Sequence, residues 1–356
     1  MTSLPAWGRL QVVQIAPPGA GGVSDYLEHL QAAWQAQGLG SEAWRLSEAD
    51  ARALSLAQRL LALQSAGDLT FVVVLHFSGY GYASRGLCGW LLEELEAARR
   101  LLGQRFKLIS VFHELYAKGP PWRSAFWTSP VQARIARRLA RMSDAVWTNT
   151  EGHGRWLSRQ ARPWAGVHGA PVFSNVGECL QPLALASERS AVMVVFGGAA
   201  TRQRACQACA GLGAQLAALG VQELIEVGPG PACGWSLGAL PVRNAGLLST
   251  PDLSALLAGS RFGLVDYQGR NLAKSSVFAA YAAHGCCVIN TSAEVEPADG
   301  LLARQHYHPL HSVGTAPADL QGWACLGQEA HRWYTQHRLP LQAQRWLQLL
   351  AQVGHG

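Results

Sequence analysis

The chain has 356 residues, of which 49% are hydrophobic and 15% are charged, and this length and composition indicate a globular chain of two domains with little disorder. No apolar run reaches the roughly 20 residues that cross a bilayer, which argues against a membrane-spanning protein. The formal net charge of +6 favours anionic partners such as nucleotide phosphates, acidic sugars, membrane surfaces or nucleic acid.

The first half of the chain alternates between strand and helix patterns. An apolar run at 10–15 leads into a glycine-rich turn at 17–22, and a helix pattern begins at Ser24. Further strand patterns lie at 71–75, 107–112 and 145–148, with a helix pattern at 86–102. Continuous apolar strands separated by amphipathic helices predict a parallel sheet covered on both faces.

The second half opens in the same way as the first. Residues 163–190 are rich in Gly and Pro, and then an apolar strand pattern at 192–196 leads into Gly197-Gly198-Ala199. The strand patterns that follow lie at 223–227, 262–265 and 287–289, and the helix patterns lie at 203–219, 251–259, 274–284 and 328–351, the last divided by Pro340. A strand, a glycine turn and a helix N-terminus can bind an anion, so this repetition predicts two α/β domains with a phosphorylated ligand in the cleft between them.

Several other classes lack their sequence signals. The first glycine turn does not give the G-x-G-x-x-G of nicotinamide dehydrogenases, and no P-loop motif occurs. Cys206 and Cys209 form one CxxC pair on a predicted helix, where core packing is a simpler interpretation than metal binding. The first residues lack the pattern of a signal peptide, so we expect a cytoplasmic protein.

Six short motifs, spread over nearly the whole chain, carry a resemblance to a known family. They are Gly21-Gly22-Val23, Phe112-His113-Glu114, Ser143-Asp144-Ala145-Val146, Val227-Gly228-Pro229-Gly230-Pro231, Asn244-Ala245-Gly246 and residues 282–289. Together they resemble GT-B glycosyltransferases, and most closely the large retaining glycosyltransferase family four. The resemblance implies an α/β fold in which two Rossmann-like domains face each other across a cleft.

The resemblance also implies an organisation and an activity. It implies an acceptor domain at 1–165, a linker at 166–190, a nucleotide-sugar donor domain at 191–330 and a C-terminal helix at 331–356 that packs back on the first domain. The implied reaction transfers a sugar, with retention, from a nucleotide diphosphate-sugar to a saccharide, lipid-linked or other small acceptor. No D-x-D-type acidic cluster occurs and Lys or Arg can neutralise the phosphates, so we expect neither a metal nor another cofactor.

One departure from the family concerns its two glutamates, which are spaced eight residues apart. Aligned on Gly285, the corresponding positions are Leu272 and Ala280, which cannot accept hydrogen bonds from sugar hydroxyls. Beside them, Lys274-Ser275-Ser276 offers a cation and two hydroxyls at a helix N-terminus. These groups can neutralise a departing diphosphate, although a plain helix cap is the alternative interpretation.

The candidate catalytic residues are His113, Glu114 and Lys274. By resemblance, His113 contacts the transferred sugar or supports the leaving phosphate. Glu114 orients the acceptor hydroxyl, or acts as general base if the reaction inverts. Both also fit a plain strand end with a solvated acid.

The candidate binding residues form two sets. For the donor they are Gly21, Gly22, Gly198, Arg202, Gly228, Gly246, Lys274, Ser275, Ser276 and Val277, with Arg204 as the alternative to Arg202. For the acceptor they are His76 and Trp122, each of which also has a structural interpretation, as a buried histidine or a packed aromatic.

A basic amphipathic stretch suggests one further partner. Arg134, Arg137, Arg138 and Arg141 fit either contact with an anionic membrane that carries a lipid-linked acceptor or a solvated helix face. Nucleic acid is not expected, because the remaining basic residues are dispersed. A non-catalytic GT-B protein that binds a nucleotide or a protein partner remains the alternative to an enzyme.

Overall fold

The computed structural model describes residues 7–19, 21–63, 69–179, 183–311, 316–317 and 319–355. The chain divides into two compact units. Unit 1 comprises Met1–Ala170 and Leu339–Gly356, and unit 2 comprises Pro171–Arg338.

Unit 1 contains a sheet of six parallel strands in the order β2-β1-β3-β4-β5-β6. The strands are β1 (Leu10–Ala16), β2 (Ser41–Arg45), β3 (Thr70–Phe77), β4 (Phe106–Phe112), β5 (Ala145–Thr148) and β6 (Gly166–Gly169). The inner strands are apolar on both faces because helices cover both sides of the sheet. The sequence assigned 166–169 to the linker, but these residues pair with β5, and residues 180–182 of that linker lie outside the described residues.

The helices of unit 1 connect these strands. They are α1 (Gly22–Gln35), α2 (Glu48–Ala53), α3 (Leu56–Ala62), α4 (Gly79–Tyr82), α5 (Gly89–Leu102), α6 (Ser124–Met142) and α7 (Glu151–Ser158), with 3-10 turns at Ser84–Gly86 and Gly103–Arg105. On α1, the buried positions Tyr26, Leu27, Leu30 and Trp34 recur at helical spacing. This periodicity lays one face of α1 on the sheet.

Unit 2 contains a second sheet of six parallel strands, in the order β12-β11-β10-β7-β8-β9. The strands are β7 (Ser190–Phe196), β8 (Glu223–Val227), β9 (Val242–Gly246), β10 (Ser260–Val265), β11 (Cys287–Asn290) and β12 (His308–Pro309). The core includes Met193, Leu224 and Phe262 from the central strands, and Cys209, the second cysteine of the CxxC pair, is buried in it.

The helices of unit 2 are α8 (Ala199–Ala208), α9 (Gly213–Ala218), α10 (Thr250–Gly259), α11 (Ser276–Ala283) and α12 (Leu320–Thr335), with a 3-10 helix at Gly269–Lys274. The prediction of a single helix at 203–219 is wrong, because α8 and α9 are separate helices. The helix pattern divides because Gly211 adopts a φ of +77°, which ends one helix before the next begins.

The last helix, α13 (Leu339–His355), belongs to unit 1. Pro340 lies in its first turn, where a missing N–H costs nothing, and this confirms the predicted division of the C-terminal helix pattern. The Trp346 ring of α13 stacks on Trp147 at 4.5 Å and meets Trp34 of α1 edge-on at 5.7 Å. The C-terminal helix therefore packs on the first domain, as the resemblance implies.

Each sheet has one point where the strand order changes direction. In unit 1, β1 lies between β2 and β3, and in unit 2, β7 lies between β8 and β10. Open α/β sheets bind ligands beyond the carboxyl ends of the strands at such switch points. Both glycine turns of the sequence follow the strand at the switch point.

Candidate functional site

The first candidate region lies at the carboxyl ends of β1, β3 and β4. The glycine turn after β1 leads into α1, and Gly21 adopts a φ of +145°, a conformation that favours glycine. Among the described residues, no side chain caps the N-terminus of α1. The helix therefore begins, at Gly22, with backbone N–H groups that have no partner within the helix.

Two predicted histidines lie side by side in this region. His76 is the last residue but one of β3 and His113 follows β4, and their rings stack with centroids 5.5 Å apart. His76 Nδ1 is 3.2 Å from His113 Nε2. The Tyr26 ring of α1 meets both imidazoles edge-on, at 5.8 and 5.1 Å, so the helix after the first glycine turn contacts both histidines.

The burial of His76 argues against its assignment to the acceptor and favours the structural interpretation. Its side chain is 0% exposed, and its Nε2 lies 3.1 Å from Oε1 of the equally buried Gln14. Burial is the main cause that lowers the pKa of His76 well below its ordinary value, and the neighbouring His113 and Arg45 lower it further. His76 is therefore a neutral, enclosed side chain that reaches a ligand only through His113.

Glu114 and Trp122 differ from the histidines in being exposed. Glu114 Oε2 is 3.5 Å from the Ser78 hydroxyl, which is the limit of a weak hydrogen bond. Trp122 is 84% exposed, and among the described residues no hydrogen bond or ring contact joins it to His76 or His113. The Glu114 carboxylate is thus accessible near the histidines, whereas the structure does not bring Trp122 to them.

The second candidate region lies at the switch point of unit 2. Gly197 adopts a φ of +127° at the turn after β7, and Gly198 is the N-cap of α8. A Cβ atom placed on Gly197 would lie 3.7 Å from Cγ2 of Val277, in the first turn of α11. The glycine turn and the start of α11 are therefore neighbours.

Arg202 is not available to a donor phosphate, which corrects its assignment from the sequence. Its side chain is 0% exposed and forms an ion pair with the equally buried Glu226 on β8. Its Nε donates to the Gly197 carbonyl at 3.1 Å, and its Nη2 donates to the Pro229 carbonyl. Arg202 therefore fixes the loops after β7 and β8 from within the unit.

Glu226 completes this buried network. The Cys233 backbone N–H donates to both of its carboxylate oxygens at 3.1 Å, and the Trp235 indole donates to Oε2 at 2.9 Å. Burial acts against the charged form, but these hydrogen bonds and the charge of Arg202 hold the pKa of Glu226 below its ordinary value. The carboxylate is therefore charged and fully partnered.

Gly228 and Gly246 lie together after β8 and at the end of β9, and Gly228 N–H donates to the Gly246 carbonyl at 2.9 Å. Gly228 has a φ of +150°, and a Cβ atom there would lie 2.3 Å from the Gly197 carbonyl oxygen. Gly246 has a φ of +66° and open space where a Cβ would point. Gly228 is therefore required for close packing of the two turns, whereas Gly246 lies at an open edge.

The segment Lys274-Ser275-Ser276-Val277 joins the 3-10 helix at Gly269–Lys274 to α11. Buried Ser275 is the N-cap, and its Oγ accepts a hydrogen bond from Phe278 N–H at 3.1 Å. Lys274 is half-buried and, among the described residues, forms no hydrogen bond or ion pair. The cap interpretation is therefore correct for the Ser275 hydroxyl, while the Lys274 ammonium remains available.

Leu272 and Ala280, at the two positions where the resembling family carries glutamates, are both 0% exposed. Leucine and alanine therefore contribute to the core here. Lys274 follows Leu272 by two residues, and the guanidinium of the exposed Arg204 lies 5.9 Å from the centre of the Tyr267 ring beyond β10.

Sequence reasoning missed Gln14 and Glu226, the polar partners of His76 and Arg202. Each interrupts an apolar strand pattern, at residues 10–15 and at 223–227. A polar side chain inside a strand that is buried on both faces needs a hydrogen-bond partner. This interruption is the signal that could have identified both.

No protein-family model and no curated protein sequence matches this chain. Solved structures are similar at the level of the fold. Trehalose-6-phosphate synthase OtsA superposes with a TM-score of 0.62 at 13% identity, covering 97% of this chain and 99% of that one. WaaG, a glycosyltransferase involved in lipopolysaccharide biosynthesis, gives 0.56 at 12% identity, covering 97% and 100%.

A third similar structure is an α-glucosyltransferase in complex with UDP and a DNA oligonucleotide. It superposes with a TM-score of 0.53 at 10% identity, covering 95% of this chain and 98% of that one. All three resemblances extend over nearly the full length of both chains. The chain therefore has the GT-B fold, as its motifs predict.

Proposed function

We propose that this protein is a glycosyltransferase that transfers a sugar from a nucleoside diphosphate-sugar to a saccharide, lipid-linked or other small acceptor. The observation that carries the proposal is the position of Lys274, a cation with no partner among the described residues, at the N-terminus of α11 beside the Gly197 turn. This cation lies at the carboxyl edge of the unit 2 sheet, where open α/β sheets bind ligands.

The chemistry of this edge suits a diphosphate. The first N–H groups of α11, at Ser276 and Val277, have no partner within the helix, and the helix dipole adds positive potential there. Lys274 adds a full positive charge, and Gly198 is the N-cap of a second helix, α8, next to the same turn. Groups fixed in this way stabilise the charge that develops as the diphosphate departs, without a metal ion or another cofactor.

The acceptor side of the proposal uses unit 1. His113 and the exposed Glu114 lie at the carboxyl edge of its sheet. The N-terminus of α1 at Gly21 and Gly22, which the sequence assigns to the donor, offers backbone N–H groups to an anion. We propose transfer with retention, because the motifs resemble a retaining family. Transfer with inversion would use Glu114 as the general base, and then Glu114→Gln would nearly abolish activity and the product would have the opposite anomeric configuration.

The test is thermal stabilisation by nucleoside diphosphates and their sugars. A ligand at 100 times its dissociation constant adds about 2.7 kcal/mol to the free energy of unfolding. We expect one nucleotide family to stabilise the wild type and Lys274→Ala to lose most of this response. Lys118→Ala, which removes an exposed lysine of unit 1, is the matched control and should keep it. If no nucleotide stabilises the wild type at millimolar concentration, the proposal fails.

A second candidate function is nucleotide or partner binding without catalysis. The observation that favours it is the burial of Leu272 and Ala280 where the resembling family carries polar, sugar-reading glutamates. Release of nucleoside diphosphate from the stabilising donor, with and without acceptors, distinguishes the two functions. A donor that stabilises the protein but releases no nucleoside diphosphate would support the non-catalytic binding function.

We also propose that α6 contacts an anionic membrane surface, although its arginines contribute unequally. Arg138 is paired with Glu96 and Arg137 with Gln160, whereas Arg134 and Arg141 are unpaired within the described residues. Trp127 is 71% exposed on the same helix, and an exposed aromatic beside cations suits a bilayer interface.

Within the part of the chain that the structure describes, no helix could span a membrane. Vesicles of anionic phospholipid should co-sediment the wild type but not Trp127→Ala/Arg134→Glu, whereas neutral vesicles should bind neither. Trp164→Ala, which removes another exposed tryptophan of unit 1, is the control and should bind like the wild type. Equal binding of the wild type and the double variant would contradict the proposal.

A further inference from the structure

A chain of polar side chains crosses the unit 1 sheet and ends at His113. Ser41 Oγ on β2 lies 3.3 Å from Gln14 Nε2 on β1, and Gln14 Oε1 lies 3.1 Å from His76 Nε2 on β3. His76 Nδ1 in turn lies 3.2 Å from Nε2 of His113, which follows β4. These strands are neighbours in the order β2-β1-β3-β4. Gln14 and His76 are both 0% exposed, so water does not interrupt the chain between them.

The amide of Gln14 determines which atoms in this row of polar side chains donate hydrogen bonds and which accept them. Its oxygen, which only accepts hydrogen bonds, faces His76 Nε2, so that nitrogen carries a proton. Its NH₂ group donates to the Ser41 hydroxyl at 3.3 Å, so both ends of the amide have a partner. His76 is neutral, because burial lowers its pKa, so its Nδ1 carries no proton and accepts one hydrogen bond.

The same assignment of donors and acceptors extends to His113. Because His76 Nδ1 accepts, the partner nitrogen, His113 Nε2, must donate and therefore carries a proton. When His113 is neutral, the proton on Nε2 leaves a lone pair on Nδ1. Such a group accepts a hydrogen bond from a hydroxyl, whereas it cannot donate to a phosphate oxygen.

We propose that Gln14 and His76 are positioning residues that hold His113 in the Nε2–H tautomer, so that Nδ1 accepts a hydrogen bond from a hydroxyl group of the substrate. This assignment of a substrate hydroxyl rests on the proposed function, but the tautomer itself does not. It separates the two roles considered for His113, since support of a leaving phosphate would require a proton on Nδ1. The buried side chains behind His113 thus select which chemical group it binds.

Nitrogen-15 NMR of the histidine-labelled protein without substrate tests the tautomer. In the wild type, His113 should show a protonated-type signal at Nε2 and an unprotonated-type signal at Nδ1. Gln14→Met removes the acceptor for His76, and the His113 signals should move to values averaged between the two tautomers. Ser41→Ala is a milder change on the partly exposed edge strand and should move them in the same direction.

The matched control is Gln132→Met, which removes another buried glutamine of unit 1 that bonds to Ala117 N–H rather than to a histidine. Its His113 signals should match those of the wild type. A proton on His113 Nδ1 in the wild type, or unchanged signals in both Gln14→Met and Ser41→Ala, would overturn the proposal. Neither outcome depends on whether the protein transfers a sugar.

Kinetics then test the consequence for catalysis. Gln14→Met should lower kcat/KM about tenfold, the effect of one weakened hydrogen bond in the transition state, while stabilisation by the nucleoside diphosphate stays unchanged. A loss of nucleotide binding in this variant would contradict a positioning role. If the wild type has no transferase activity but the tautomer is as predicted, the proposed function fails and the positioning of His113 stands.

Discussion

At the scale of single residues, Arg202 and Lys274 differ in what surrounds their charges. Arg202 is enclosed with Glu226, so Arg202→Met should lower the free energy of unfolding by about 3–5 kcal/mol, because a buried carboxylate would lose its partner. Lys274→Met should change it by no more than about 0.5 kcal/mol. Urea unfolding of the two variants measures both values, and similar small losses would show that the buried pair is not needed.

The different surroundings of Arg202 and Lys274 could not be predicted from the sequence, because they depend on how distant segments pack in the fold. Arg202 follows a glycine turn and Lys274 stands at the start of a helix pattern. From the sequence, both positions therefore suit phosphate binding. Arg202 lies on α8, after β7, and its partner Glu226 lies 24 residues later on β8, so the pairing of β7 with β8 brings the two together. The availability of Lys274 likewise follows from packing, which leaves its side chain half-buried and unpartnered within the described residues.

Buried histidines should make stability depend on pH. His284 is 0% exposed, with Nδ1 2.8 Å from the Ala280 carbonyl and Nε2 2.8 Å from the Ser254 hydroxyl, and burial lowers its pKa. The unfolded chain takes up a proton at this side chain near its ordinary pKa of about 6.5, whereas the folded protein does not. The free energy of unfolding should therefore fall as the pH drops below about 6.5.

The contribution of His284 is measured by urea unfolding between about pH 7.5 and about pH 5. His284→Gln should show a shallower loss of stability than the wild type over this range, whatever its stability at neutral pH. His355→Gln removes an exposed histidine from α13 and should follow the wild-type slope. Equal slopes for all three proteins would contradict this account.

At the scale of elements, sequence patterns identified the central strands and missed the edges. The eight predicted strands are the four central strands of each sheet, whereas the missed strands, β2, β6, β9 and β12, are the four edges. A central strand is buried on both faces and is continuously apolar, but an edge strand contacts the core on one side only. Thus β2 and β9 contain no buried residue, and no apolar run marks them.

The two glycines that pair after β8 and at the end of β9 should respond differently to substitution. Gly228→Ala would place a Cβ atom 2.3 Å from the Gly197 carbonyl oxygen at a φ of +150°, so both turns must shift. Gly246→Ala has open space and a φ of +66°, which costs only about 1–2 kcal/mol of backbone strain. Thermal unfolding should show the larger loss for Gly228→Ala, and equal losses would mean that the turn after β7 relaxes freely.

At the scale of the whole molecule, the repeated strand-turn-helix opening was the most reliable signal. It predicted two sheets, and each has its first strand at the switch point with a glycine turn beyond it. The chain order of the patterns could not show that unit 1 is discontinuous, since Met1–Ala170 is completed by Leu339–Gly356. Only the family resemblance, which implies a helix crossing back, indicated that α13 belongs there.

The last helix should be necessary for the stability of unit 1, because its Trp346 is 0% exposed between Trp147 and Trp34. Trp346→Ala should cost about 3–5 kcal/mol through lost burial and the cavity that remains. A chain ending at Arg338 should expose Trp34 and Trp147 to water, which red-shifts their fluorescence and favours aggregation on a sizing column. Trp164→Ala removes a ring that is 72% exposed and should leave stability unchanged. If the shortened chain keeps wild-type stability and fluorescence, α13 is an accessory to unit 1, and the discontinuous unit is not required for folding.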